Sequence, residues 1–228
     1  MHADLLCKIM CMKQTISYFA GYFLLFLAML VALLLVPKPE LHLWLNGLHT
    51  PFLDGCMRTI TYFAQWPLYL IALLLFCRRY SMLAYYAISE VAAAALVQVL
   101  KHSFNMPRPV TVFGNDPAFQ QIIVEGVRMH NWHSFPSGHT QTFFVFFTVL
   151  VIVLPALCKN QSAAFQQLIA LVALLLAALG AYSRIYLSQH FLMDVCAGSC
   201  IGVMVPMMLW LLYKRWTEKW GNKGILTH

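Results

Sequence analysis

His190 and Asp194 close a segment that runs from Ser183-Arg184 through a short polar turn into an apolar stretch. Four residues apart, they share one face of a helix. A carboxylate bonded to one imidazole nitrogen fixes the tautomer and leaves the other nitrogen as a base or nucleophile. Asp194 also begins an apolar run, where an ionised group is costly without a partner. A second segment, Phe135-Pro136-Ser137-Gly138-His139-Thr140, leads directly into another apolar run. The N-terminus of a helix there offers free N–H groups and a partial positive charge, which together bind anions. Gly138 admits an anion close to the backbone, Ser137 adds a hydroxyl, and His139 exchanges a proton near neutral pH. In a third segment Lys101 and Arg108 stand seven residues apart, where Pro107 and Pro109 stop a helix.

Taken singly, each segment has a plainer account. The cations can snorkel at a membrane interface, Ser137 can be an ordinary helix cap, and His190 and Asp194 can simply satisfy each other. Taken together, the segments supply three cations (Lys101, Arg108 and Arg184), a helix-terminal nest and two histidines. Cations and backbone donors match the charge of a phosphoryl group and its transition state. Two histidines match a two-step displacement in which one attacks phosphorus and the other protonates the leaving oxygen.

The same residues resemble the signature of the type-2 phosphatidic acid phosphatase superfamily, which includes lipid phosphate phosphatases and, more distantly, vanadium haloperoxidases. That signature is a Lys, six residues, Arg-Pro; then Pro-Ser-Gly-His; then Ser-Arg, five residues, His, three residues, Asp. Lys101 with Arg108-Pro109, Pro136-Ser137-Gly138-His139, and Ser183-Arg184 with His190 and Asp194 match every position and both internal spacings. The resemblance implies a phosphohistidine at His190, with Asp194 orienting that ring. It implies that His139 protonates the leaving group and then activates water. It also implies that Lys101, Arg108, Ser137, Gly138 and Arg184 hold the phosphate oxygens, and that no metal or other cofactor is required.

The elements that must position these residues are membrane helices. Of 228 residues, 61% are hydrophobic and 10% charged, against roughly 25% charged in ordinary soluble domains; mean hydropathy is +0.71. At ~20 apolar residues per crossing, the runs 16–36, 59–77, 82–100, 140–157, 164–182 and 191–213 predict an all-α bundle of six transmembrane helices in a single membrane domain, 1–228. The first run is too long for the core of a secretory signal and reads as an uncleaved helix. Residues 40–58 are too polar to span, and Trp44 with spaced Leu and Phe suits a segment lying in the interface. With both termini on one side, that side carries nine Lys and Arg and the other six. Three of the six are Lys101, Arg108 and Arg184. The positive-inside bias therefore places both termini in the cytoplasm and all three polar segments at the outer, periplasmic face.

The formal charge of +7 and pI of about 9.1 come from cations placed singly or in pairs at the ends of apolar runs. They express topology, not nucleic-acid binding. The seven Cys form no paired extracellular set, so no structural disulfide is expected. Zinc held by His139, His190 and Asp194 has enough ligands, but three nearby cations oppose it. His130 and His133 read as loop histidines beside the second motif. Glu90 and Gln98 lie inside the third run, with Glu90 too deep to touch phosphate. The Asn160-Gln161-Ser162 sequon falls on the cytoplasmic side. The resemblance and the outward placement of the segments imply a lipid phosphatase acting on an extracytoplasmic phosphate; in a bacterial inner membrane the candidate substrates are a polyprenyl diphosphate, a lipid A phosphate and phosphatidylglycerol phosphate. Transfer to an acceptor other than water uses the same site. A transporter for anionic lipids would place its site near the midplane, whereas these cations stand at the run ends.

Overall fold

The computed structural model describes the backbone of residues 2–157, 161–220 and 223, with side chains from Thr15 onward apart from Trp220. The side chains of Cys7, Lys8, Cys11 and Lys13, and all of Cys158, Lys159 and Asn160, lie outside the described residues. Helix α1 (His2–Leu35) carries the first apolar run. Pro37 cannot continue it, lacking an N–H and clashing with the preceding turn. The chain restarts as the short α2 (Lys38–Leu45), with a Pro in its first turn, where the missing N–H costs nothing.

Thr50 caps α3 (Pro51–Phe63) by accepting the Leu53 N–H at 3.2 Å. The helix halts at Ala64–Gln65 and resumes as α4 (Trp66–Phe76), with the axes bent by 53°. Pro67, in the first turn of α4, supplies the reason for the break. The stretch 40–58 is therefore not one interfacial segment. Its first part is α2, and residues from Pro51 onward are the opening turns of α3, the first half of the bent α3–α4 pair. A Pro at N1 with a Thr cap starts a helix even where polar residues dilute the apolar pattern.

Helix α5 (Tyr80–Phe104) ends on Asn105, whose left-handed φ of 40° turns its N–H back to the Lys101 carbonyl at 2.9 Å. Two short helices, α6 (Pro109–Phe113) and α7 (Pro117–Gln120), punctuate the long polar loop. Helices α8 (Gly138–Leu157), α9 (Ala163–Tyr186) and α10 (Leu192–Trp220) complete the chain. Counting the bent pair as one span, six segments are long and apolar enough to cross a bilayer.

Large apolar side chains such as Leu24, Val91, Leu175 and Met208 face outward, as a lipid-solvated surface requires. Helix α8 is the centre of the bundle: side chains from Thr140 to Val149 are all buried. Helix α10 packs on its first turns through Gly198 and Gly202. A Cβ on Gly198 would stand 2.5 Å from the Ser137 carbonyl oxygen, and one on Gly202 would stand 2.7 Å from that of Gln141. Small residues four apart let two backbones approach this closely. Buried polar groups fix the register of the helices. Glu90 of α5 accepts hydrogen bonds from Tyr69 of α4 (3.1 Å) and from Gln141 (3.1 Å) and Thr142 (2.8 Å) of α8. The end of α5, the start of α8, the end of α9 and the start of α10 all lie at one end of the bundle, with α2 packed beside them.

Candidate active site

The turn between α9 and α10 suspends His190 from the last turn of α9. The Arg184 carbonyl accepts the N–H groups of both Gln189 (3.0 Å) and His190 (3.2 Å). Ser188, at φ 50°, makes the reversal, and its hydroxyl accepts a bond of 2.7 Å from Asn46 beyond the end of α2. Phe191 then opens α10, and its N–H donates to Asp194 Oδ2 at 2.9 Å. The same oxygen accepts from the Ser134 hydroxyl at 2.5 Å and stands 3.5 Å from His190 Nδ1. That last separation is longer than a formed hydrogen bond. Neither His190 Nδ1 nor Asp194 Oδ1 has a hydrogen-bond partner. A positive charge on the ring would strengthen its attraction to this carboxylate. Burial pulls the His190 pKa down to about 3, so the ring is neutral at physiological pH. With Nδ1 turned to the carboxylate, Nε2 is the nitrogen left for the cavity that His190 lines.

Helix α8 begins against this pair. The Ser137 N–H donates to the Asp194 main-chain oxygen at 2.9 Å, and the Ser137 hydroxyl accepts from Thr140 Oγ at 3.0 Å. Ser137 is fully buried behind the cavity wall, while Gly138 and His139 are on it. A Cβ on Gly138 would meet only Val97, at 3.8 Å. Packing does not require glycine here, and its open side is the cavity. Gly138 and His139 belong to the first turn, so their N–H groups have no acceptor within the helix.

Three cations complete the wall. Lys101 Nζ donates to the His133 carbonyl at 2.7 Å. Arg108 donates through Nε to the Trp132 carbonyl (3.0 Å) and through Nη1 to the Gln189 carbonyl (3.1 Å) and side chain (3.3 Å). Arg184, nearly buried, donates through Nη1 to Thr61 Oγ1. Backbone bonds from Arg108 to Asn131 and from Ser134 to Met106, both 2.9 Å, draw the loop alongside the end of α5. Lys101, Arg108, Gly138, His139, Arg184 and His190 thereby surround one cavity of about 550 Å³. Asp194 stands behind His190 and Ser137 behind Gly138.

Three contributors lie outside the residues the sequence singled out: Ser134 on Asp194, Gln189 on Arg108, and Thr61 on Arg184. The need of a buried carboxylate for donors was the one available hint to Ser134. Gln98 lines the cavity and Glu90 does not. His130 is on the rim, and His133 faces the Lys101 carbonyl at 3.2 Å. Among the described residues, no three His, Cys, Asp or Glu side chains gather as a metal-binding group.

Comparison with known proteins matches the sequence to a family. A family model described as the PAP2 superfamily matches residues 82–218, which contain every residue of the cavity signature. The chain is 27% identical over 199 residues to the lipid A 4'-phosphatase of Porphyromonas gingivalis, covering 83% of this chain and 78% of that protein. It is 30% identical over 122 residues to phosphatidylglycerophosphatase B of Bacillus subtilis, covering 47% of this chain and 56% of the relative. Among solved structures, Aquifex aeolicus LpxE superposes with a TM-score of 0.58 at 28% identity, over 75% of this chain and 93% of that one. A transmembrane PAP2-type phosphatidylglycerolphosphate phosphatase from Bacillus subtilis shares the fold, with the same TM-score at 23% identity, over 88% and 96% of the two chains. With the signature assembled around one cavity and the family model covering more than half of the sequence, the chain belongs to the PAP2 superfamily.

Proposed function

We propose that this protein is a membrane lipid phosphatase that works through a phosphohistidine on His190. The observation that carries the reading is the placement of His190: neutral, backed by Asp194 on the Nδ1 side, and facing a cavity walled by Lys101, Arg108 and Arg184. In the first step the Nε2 lone pair attacks phosphorus and the bond from phosphorus to the lipid oxygen breaks. The departing oxygen takes a proton from His139. The ring now carries positive charge, which Asp194 balances, and the Ser134 hydroxyl and Phe191 N–H keep that carboxylate ionised and aimed. In the second step His139 accepts a proton from water as the water oxygen attacks phosphorus. The P–N bond breaks, and inorganic phosphate leaves. Lys101, Arg108, Arg184 and the Gly138 N–H hold the phosphoryl oxygens through both steps, while Ser137, buried behind Gly138, fixes the turn that presents that N–H instead of touching the anion as the sequence pattern implied.

The substrate class is a lipid with an extracytoplasmic phosphate: a polyprenyl diphosphate, a lipid A phosphate or phosphatidylglycerol phosphate. The activities named for the relatives support the last two. The charge bias of the sequence supports a site on the side away from the cytoplasm, and the bacterial origin of the similar proteins supports an inner membrane with that side periplasmic. The test is phosphate release by purified protein in detergent. His190→Ala should lower turnover by about 10⁴-fold or more, as loss of a covalent nucleophile does. Retention of wild-type turnover on an accepted lipid would refute the mechanism.

A further inference from the structure

The cavity holds more positive charge than one phosphoryl group needs. Besides Lys101, Arg108 and Arg184, Arg58 and Arg128 line it, and among the described residues no carboxylate does. Both additional arginines are solvent-exposed, on the outer part of the wall. Specific contacts hold the side chain of Arg58 and the backbone of Arg128. Arg58 lies three residues before Thr61, so the two share a face of α3 one turn apart. Thr61 holds Arg184, so Arg58 extends the same line of cations outward. Its Nη1 donates to the Glu125 carbonyl at 3.3 Å, beside Gly126, where the chain takes a φ of 76°. The backbone of Arg128 is held beside the cavity by its carbonyl, which accepts from Gln189 Nε2 at 3.3 Å, and Gln189 is the residue that also bonds Arg108; the Arg128 side chain is among those lining the cavity. The two outer arginines are therefore each one residue removed from a phosphate cation. The volume of about 550 Å³ is also far larger than one phosphoryl group fills and lies within the ~300–1,000 Å³ usual for small-molecule sites.

We propose that Arg58 and Arg128 form a second anion subsite that binds a further phosphate or phosphodiester of the same lipid headgroup. The enzyme would thereby select lipids with two anionic groups over simple monophosphates. This inference rests on the lipid phosphatase reading and names its substrate class. A second anion between two guanidinium groups leaves the first phosphoryl group, and the chemistry on it, in place.

The experiment uses the full chain purified in a zwitterionic detergent and two matched substrate pairs. One pair is phosphatidylglycerol phosphate and phosphatidic acid with the same acyl chains. The other is a prenyl diphosphate and the corresponding monophosphate. The reading is the ratio of kcat/KM for the two-anion lipid over its one-anion partner. Hydrogen bonds to charged groups are worth about 1.5–3 kcal/mol, or roughly tenfold to a hundredfold. The double variant Arg58→Gln/Arg128→Gln should therefore lower the ratio by about tenfold or more in at least one pair, chiefly through KM, and Arg58→Lys/Arg128→Lys should restore part of it. Because the reading is a ratio on one preparation, partial misfolding cancels. If the ratio stays within about threefold of wild type in both pairs, or if wild type favours the one-anion lipid in both, the subsite does not exist. Turnover by His190→Ala on these same lipids would instead overturn the phosphatase reading itself.

Discussion

The carboxylate of Asp194 receives two full hydrogen bonds, and neither comes from the histidine it serves. Ser134 and the Phe191 N–H hold it, while His190 waits at 3.5 Å. Ser134 is thus a positioning residue. Ser134→Ala should lower kcat by about tenfold or more with little change in KM, since a buried bond to a charged group is lost and substrate contacts are not. Steady-state kinetics on one accepted lipid would show the split; a rise in KM at constant kcat would argue against it. His42 makes a second prediction. Its ring is buried against Phe191, Phe113 and Phe119, with no hydrogen-bond partner at either nitrogen. Burial holds its pKa down to about 4, although Asp194 opposes that shift and Lys38, stacked 3.9 Å over Phe191, adds to it. A depressed folded pKa means that the unfolded chain binds more protons between pH 6.5 and 4, so stability present above pH 6.5 is lost as pH falls through that window. The displacement corresponds to at most roughly 3 kcal/mol. Thermal unfolding of His42→Leu in detergent should show a shallower decline from pH 6.5 to 4 than wild type. Some slope should persist, because the His190 pKa is depressed as well. Lys101, Arg108, Gly138, His139, Arg184 and His190, singled out in the sequence by their spacing, line one cavity in the folded chain. The sequence did not disclose Ser134 or the burial of His42. Both depend on which loop is drawn across which helix end, and no periodicity records that.

Helix ends, more than helix middles, build the site, and the glycines of α10 determine how closely two of those ends meet. Gly198→Ala would force a Cβ to within 2.5 Å of the Ser137 carbonyl, a backbone atom that cannot swing aside. It should cost about 1–3 kcal/mol and lower turnover, since Ser137 and Asp194 are joined at that contact. Gly55→Ala on α3 meets nothing within 4 Å and should stabilise by about 0.5–1 kcal/mol through helix propensity. Unfolding midpoints of the two variants should therefore move in opposite directions. The apolar runs announced α1, α5, α8, α9 and α10, because a bilayer imposes length and hydropathy directly. The break in the second span was less legible. Capping by Thr50 and the Pro residues at 51 and 67 set its limits locally, while hydropathy averages across them.

At the scale of the molecule, the sequence reading and the folded chain agree that the three polar segments meet at one end of the bundle. Which side of the membrane that end faces is a separate question, decided by charge asymmetry. With the seven native cysteines replaced, Gln121→Cys in the long polar loop should react with a membrane-impermeant maleimide in intact cells. Gln161→Cys, on the opposite end before α9, should react only after permeabilisation. The reverse pattern would invert the topology. The arrangement of Arg184 has a separate consequence for any such dissection. Its guanidinium faces the cavity, while its carbonyl grips the main chain of Gln189 and His190. Side-chain replacement reaches only the first of these. A variant at 184 removes a cation from the cavity and the bond to Thr61 while leaving the main-chain tether on His190 intact, so under the proposed mechanism its rate deficit reports on the side chain and not on release of that tether.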